Sequence, residues 1–172
     1  VRYSAKLSDW RSKRILYAKP VEIEHIEVRY RDSTHYSFRL ELQAGQAPVM
    51  KGNYTIDKQI LTEKVNNYVQ QWDSIYCLGF EQRTKLKDTL FERGHLLAEV
   101  KMKALHHPEQ NLLIYFKPIS KGTKGVLKVG NEKFDFDLYF GLLNGSELVL
   151  LNRHVCQQIL RSYPEFYGEK SF

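Results

Sequence analysis

The chain has few cysteines: Cys77 and Cys156 are the only two in 172 residues. Two are too few for a disulfide framework, so a hydrophobic core must hold the fold. Each sits among apolar neighbours, Tyr76 and Leu78 for one, Val155 and Ile159 for the other. Both read as free, buried thiols. No apolar run reaches the roughly 18 residues of a membrane-spanning helix. Catalytic signatures are also missing. There is no HExxH, no paired CxxC, no G-x-S-x-G, and no Walker or dinucleotide pattern after Gly125 or Gly130. No cofactor and no small-molecule ligand is indicated.

Apolar residues make up 42% of the chain and charged residues 27%. That balance suits a folded domain and excludes a disordered one. The 11 tyrosines and 9 phenylalanines favour strands around an aromatic core. The net charge is +6. A basic surface suits nucleic acid, an anionic membrane surface or an acidic protein, and it also serves plain solubility.

Residues 1–20 are polar and basic, and residues 21–172 read as one domain. Ile26, Val28 and Tyr30 alternate with polar residues. So do Tyr36, Phe38, Leu40 and Leu42 beyond the turn residues Asp32 and Ser33. This predicts an antiparallel hairpin, with a further extended piece through Tyr54 and Ile56. Asp57 is the expected N-cap of a helix of about four turns, with Ile60, Leu61, Val65, Val69 and Trp72 on its buried stripe. A second, more charged helix is expected over 81–93, stopped by Gly94.

The order then repeats. Leu96 to Met102 and Leu112 to Phe116 alternate as strands around a turn at His106-His107-Pro108-Glu109. A short strand is expected near 126–129 and another through Phe134, Phe136, Leu138 and Phe140. Asn144-Gly145 marks a tight hairpin into the strand containing Leu148 and Leu150. A closing helix starts near Asn152. The predicted class is α+β: antiparallel sheets with covering helices, open to division into two related hairpin-strand-helix halves, 21–80 and 81–172.

Several motifs spread along the chain carry a family resemblance. They are Asp9-Trp10-Arg11 with Ile15, Lys19-Pro20, Ser37-Phe38, Tyr115-Phe116-Lys117-Pro118, Asp137-Leu138-Tyr139-Phe140-Gly141, Glu147-Leu148-Val149-Leu150 and Ile159-Leu160-Arg161 with Phe166. The pattern resembles a group of uncharacterised Bacteroidetes proteins. These are related to a membrane-anchored bacterial family of unknown function, some of whose members are encoded beside gliding-motility-type ABC transporter subunits. The resemblance implies an extracytoplasmic (periplasmic) domain tethered by an amino-terminal helix ahead of Val1, with a protein partner in the cell envelope. It assigns no functional residue. Most of the relatives carry an aromatic residue where Cys156 stands.

The chemistry-bearing candidates are few. His106, His107 and Glu109 share a turn that does not fix tetrahedral metal geometry. Cys156 and His154, two residues apart at a helix start, diverge too far to act as a nucleophile and base. Asp135 and Asp137 are expected on one solvated strand face. Lys117, Lys121, Lys124 and Lys128 lie in or near one loop beside Tyr115 and Phe116, and are the candidate contacts for an anionic partner. Basic residues interleaved with aromatics can also hold single-stranded nucleic acid. The sequence therefore points to a non-enzymatic binding or assembly domain, with a nucleic-acid-binding domain as the alternative and an unrecognised hydrolase third.

Overall fold

The computed structural model describes residues 12–82, 86, 88 and 94–169. The Asp9-Trp10-Arg11 motif lies outside them, as does most of the expected helix over 81–93, of which Leu86 and Asp88 are helical. A nine-stranded antiparallel sheet dominates. In chain order its strands are β2 (Ile23–Tyr30), β3 (Phe38–Glu41), β4 (Val49–Gly52), β6 (Gly79–Phe80), β7 (Leu96–Ala104), β8 (Gln110–Pro118), β9 (Val126–Val129), β10 (Glu132–Leu143) and β11 (Glu147–Asn152). They lie in the order β4-β3-β2-β7-β8-β10-β11-β6, with β9 on β10 alone. A separate pair joins β1 (Arg14–Leu16) to β5 (Ile75–Tyr76). Among the described residues two helices can be traced end to end, α1 (Thr62–Gln70) and α2 (Arg153–Ile159), and with the sheet they make an α+β fold.

Strand alternation decides what each face carries. Ile26, Val28, Phe38, Leu40, Val100, Met102, Leu112 and Ile114 are buried in one cluster with Val65, Tyr68 and Val69 of α1 and Val155, Cys156 and Ile159 of α2. Trp72, in the 3-10 turn that extends α1, is fully buried there. Phe166 closes the cluster against Phe38 and Tyr68 with ring centroids 5.1 and 5.4 Å away. Gly141 on β10 has no room for a side chain, since a Cβ there would meet Val149 at 2.8 Å and Leu112 at 2.9 Å.

The opposite face changes character along the sheet. From β4 to β7 it is a charge ladder. Glu27, Arg39 and Lys51 are cross-strand partners, as are Glu27 and Lys101. From β8 to β11 it is apolar. Tyr115, Phe140, Leu142 and Leu148 form a second buried cluster, with Leu86 packed against it.

Four local readings differ from the sequence expectation. The helix starts at Thr62, not behind Asp57, because Leu61 N–H is held by the Phe166 carbonyl at 2.8 Å and the chain turns only there. The third extended piece is β4, ending at Gly52 before Tyr54. Residues 14–18 join the domain, with Ile15, Leu16 and Ala18 in the core. Asp135 and Asp137 do not share a solvated face. The β8–β10 register shifts between Phe134 and Tyr139, and Asp135 is buried while Asp137 is exposed. With the later helix start Leu61 leaves the expected buried stripe and is 41% exposed. Other local signals hold. Asn144 and Gly145 both take left-handed φ, as a two-residue hairpin turn demands. Asn152 caps α2 by accepting from Val155 N–H at 2.8 Å. Both cysteines are buried, and no disulfide joins them.

Candidate functional site

The lysine-rich excursion leaves the sheet after β8, runs through residues 119–125, forms β9 and returns into β10. Its geometry is organised by Asp135. Oδ2 of that carboxylate accepts from Lys117 Nζ at 3.1 Å and Thr123 Oγ1 at 3.3 Å. Oδ1 accepts from the backbone N–H groups of Asp137 at 3.0 Å and Leu138 at 3.2 Å. Burial pushes the Asp135 pKa up, but the Asp137 amide, the Lys117 ammonium and the Leu138 amide outweigh it. The carboxyl is held below the usual carboxylate range. Ser120 N–H donates to Thr123 Oγ1 at 2.9 Å and closes the turn. Asp135 therefore stitches β8, the loop and the β10 bulge together.

The structure separates the four predicted lysines. Lys117 is half-buried and spent on Asp135. Lys121, Lys124 and Lys128 are exposed, and none makes an ion pair with a described residue. Sequence reasoning missed a fifth lysine that belongs with them. Lys133 is exposed and lies directly opposite Lys128 across the β9–β10 ladder. Like charges in that position repel. The neighbouring carboxylate gives no relief, because Glu132 Oε2 sits 2.6 Å from His95 Nε2. Gly130-Asn131 is itself a two-residue hairpin signal, and counting back from it sets Lys128 against Lys133.

The aromatics beside the lysines are occupied. Tyr115 is buried in the second cluster. Phe116 packs on Phe134 and Tyr139 at centroid distances of 5.2 and 6.0 Å. Phe136 lies under the Arg153 guanidinium at 3.9 Å. The apolar side chains that do reach solvent in this excursion are aliphatic, Ile119 at 47% and Val126 at 52% exposure.

Other chemistry-bearing groups are placed apart. Cys156 is buried, and burial pushes its thiol pKa up to about 12, so it is protonated at neutral pH. His154 is exposed. Glu109 reaches His25 at 3.3 Å, while the His107 ring meets Tyr17 at 6.0 Å. Among the described residues no group of three His, Cys, Asp or Glu side chains could hold a metal ion. Three clefts lie away from the lysines. One of about 210 Å³ is lined by Lys64, Tyr68, Gln71, Arg161 and Glu165. One of about 430 Å³ lies between α1 and the β3–β4 turn, lined by Val21, Leu42, Gln43 and Gln70. One of about 490 Å³ is walled by Tyr54, Tyr163 and Tyr167. No described helix is long and apolar enough to cross a membrane. Comparison with protein-family models, curated proteins and solved structures returned no match.

Proposed function

We propose that this chain is a non-enzymatic binding domain of the cell envelope that engages an anionic partner through its β9 excursion. The observation that carries the reading is that Lys121, Lys124, Lys128 and Lys133, all on one excursion and its return strand, are exposed and have no carboxylate partner among the described residues. Lys117 works differently from the role expected of it. It anchors the excursion, and the other lysines make the contact. The groups with the most chemical potential, Cys156 and Asp135, are used for packing and for bracing a loop. The resemblance to membrane-anchored Bacteroidetes proteins supports an extracytoplasmic location and an amino-terminal tether. The order of elements supports two related halves, with β2, β3 and β4 preceding α1 and β7 to β11 preceding α2.

The test is retention on immobilised heparin, with a charge-matched control. One variant carries Lys121→Gln, Lys124→Gln, Lys128→Gln and Lys133→Gln. The other removes the same charge from the ladder with Arg29→Gln, Arg39→Gln, Lys51→Gln and Lys101→Gln. The first should elute at much lower salt and the second near wild type. Equal shifts would mean that only net charge is being read.

A further inference from the structure

We infer that the anionic partner is a lipid bilayer surface, and that the β9 excursion docks on it with lysines at the headgroups and Ile119 and Val126 below them. The inference rests on the proposed use of the same lysines.

Charge alone does not choose between a membrane and a nucleic acid, since both present closely spaced phosphates. The apolar residues beside the charge do choose. Single-stranded nucleic acid is held by bases stacking on exposed aromatic faces. Here Tyr115 is buried and Phe116 is packed on Phe134 and Tyr139. What the excursion offers to solvent is aliphatic, Ile119 and Val126, both about half exposed. Half-exposed aliphatic side chains in the same excursion as exposed lysines match the boundary between headgroups and acyl chains.

The strand geometry agrees. Val126 and Lys128 are two apart on β9 and so project from the same face. Leu127 lies opposite buried Phe134 and faces the domain. β9 pairs with β10 alone among the described strands, so its other edge is unpaired, and Val126 and Lys128 both reach solvent. The Lys128–Lys133 opposition costs stability in the free protein. An anionic surface offsets that repulsion for both lysines at once.

The experiment is co-sedimentation with phosphatidylglycerol-containing vesicles, with pure phosphatidylcholine vesicles, and binding to single-stranded DNA, over a salt series. Wild type should bind the anionic vesicles and not the neutral ones. Each lysine removed should weaken binding about fivefold. The effect should fade as the Debye length shrinks from about 10 Å at 0.1 M to about 3 Å at 1 M salt. The double variant Ile119→Ser, Val126→Ser should lose about tenfold or more in vesicle affinity while keeping the salt slope. Its melting curve, followed by circular dichroism, controls for folding. DNA or heparin binding that matches vesicle binding, with the serine variant unaffected, would overturn the lipid assignment and leave the anionic-partner reading standing. Vesicle binding that survives the lysine substitutions, or no binding to any probe at low salt, would remove both.

Discussion

The sheet carries two sets of cations, and they are treated in opposite ways. Between β4 and β7 four ladder cations have carboxylates, and the fifth, Lys103, gives its ammonium to the His107 carbonyl. Arg29 meets Glu27 at 2.7 Å, Arg39 lies between Glu27 at 3.6 Å and Glu41 at 3.1 Å, Lys51 meets Glu41 at 2.8 Å, and Lys101 meets Glu99 at 3.2 Å. The Lys51 and Arg39 hydrogen bonds hold the Glu41 carboxyl below its ordinary pKa. On β9 and β10 Lys128 and Lys133 have none among the described residues, and they face each other. Both sets sit on antiparallel ladders, so strand geometry does not account for the difference. Cations that serve the sheet are interleaved with acids. Cations that lower its stability are kept for contact with something outside it.

That contrast assumes that both sets ride on one cooperative domain. The largest test is Trp72→Ala, which should cost about 3–5 kcal/mol, because the indole is fully buried. Urea unfolding should show the loss at both ends of the sheet together. A β9 region that melts separately would break the comparison. Next is Asp135→Asn, which leaves the Lys117 ammonium beside a neutral partner. About 2 kcal/mol should be lost at neutral pH. The folded pKa of Asp135 is depressed. Its contribution is therefore complete above the unfolded value of about 3.9 and disappears as pH falls through the folded value. The gap between wild type and variant in thermal melts should stay constant from neutral pH to about 5 and close below about 4. A gap unchanged at low pH would mean that the charge is not what braces the loop.

The two smaller tests address the cation sets directly. Arg39→Gln should destabilise by about 0.5 kcal/mol, since it removes a half-exposed cation from between two acids. Lys133→Glu should do the reverse. Putting opposite charges across the β9–β10 ladder should raise stability by about 0.2–0.5 kcal/mol while weakening the grip on anions. Stability and binding moving in opposite directions, read by urea midpoint and heparin elution, would sharpen the contrast. Loss of both would reduce Lys133 to an ordinary structural residue.

Much of this was legible in the residues because it is local. Alternation located β2, β3, β7, β8 and β10, and two short-range signals, Asn144-Gly145 and Asn152, worked where they stand. What failed depended on distant partners. Asp57 has good capping chemistry, but the chain there is claimed by the carboxy-terminal turn, through the Leu61–Phe166 hydrogen bond and the Lys58–Glu169 ion pair at 2.8 Å. Ile15 and Leu16 belong to a three-residue strand, too short for a period to be seen. Asp135 was misplaced because counting by twos assumes an unbroken ladder, and β10 breaks its β8 register there. At the candidate site the sequence identified the right loop. It could not separate Lys117, whose partner lies 18 residues away, from the lysines left free.

The strand order has a consequence for synthesis. β3 and β4 follow β2 closely, so β3 can pair with β2, and β4 with β3, as they emerge. The other edge of β2 must wait for β7, since Ile26 pairs with Met102 and Val28 with Val100. At roughly 5–20 residues per second, that edge stays open for several seconds on a translating ribosome. An unpaired strand edge is a template for pairing with another chain. The nascent first half is thus the aggregation-prone stage of this protein's life, and slowing translation between residues 42 and 96 should lower the soluble yield.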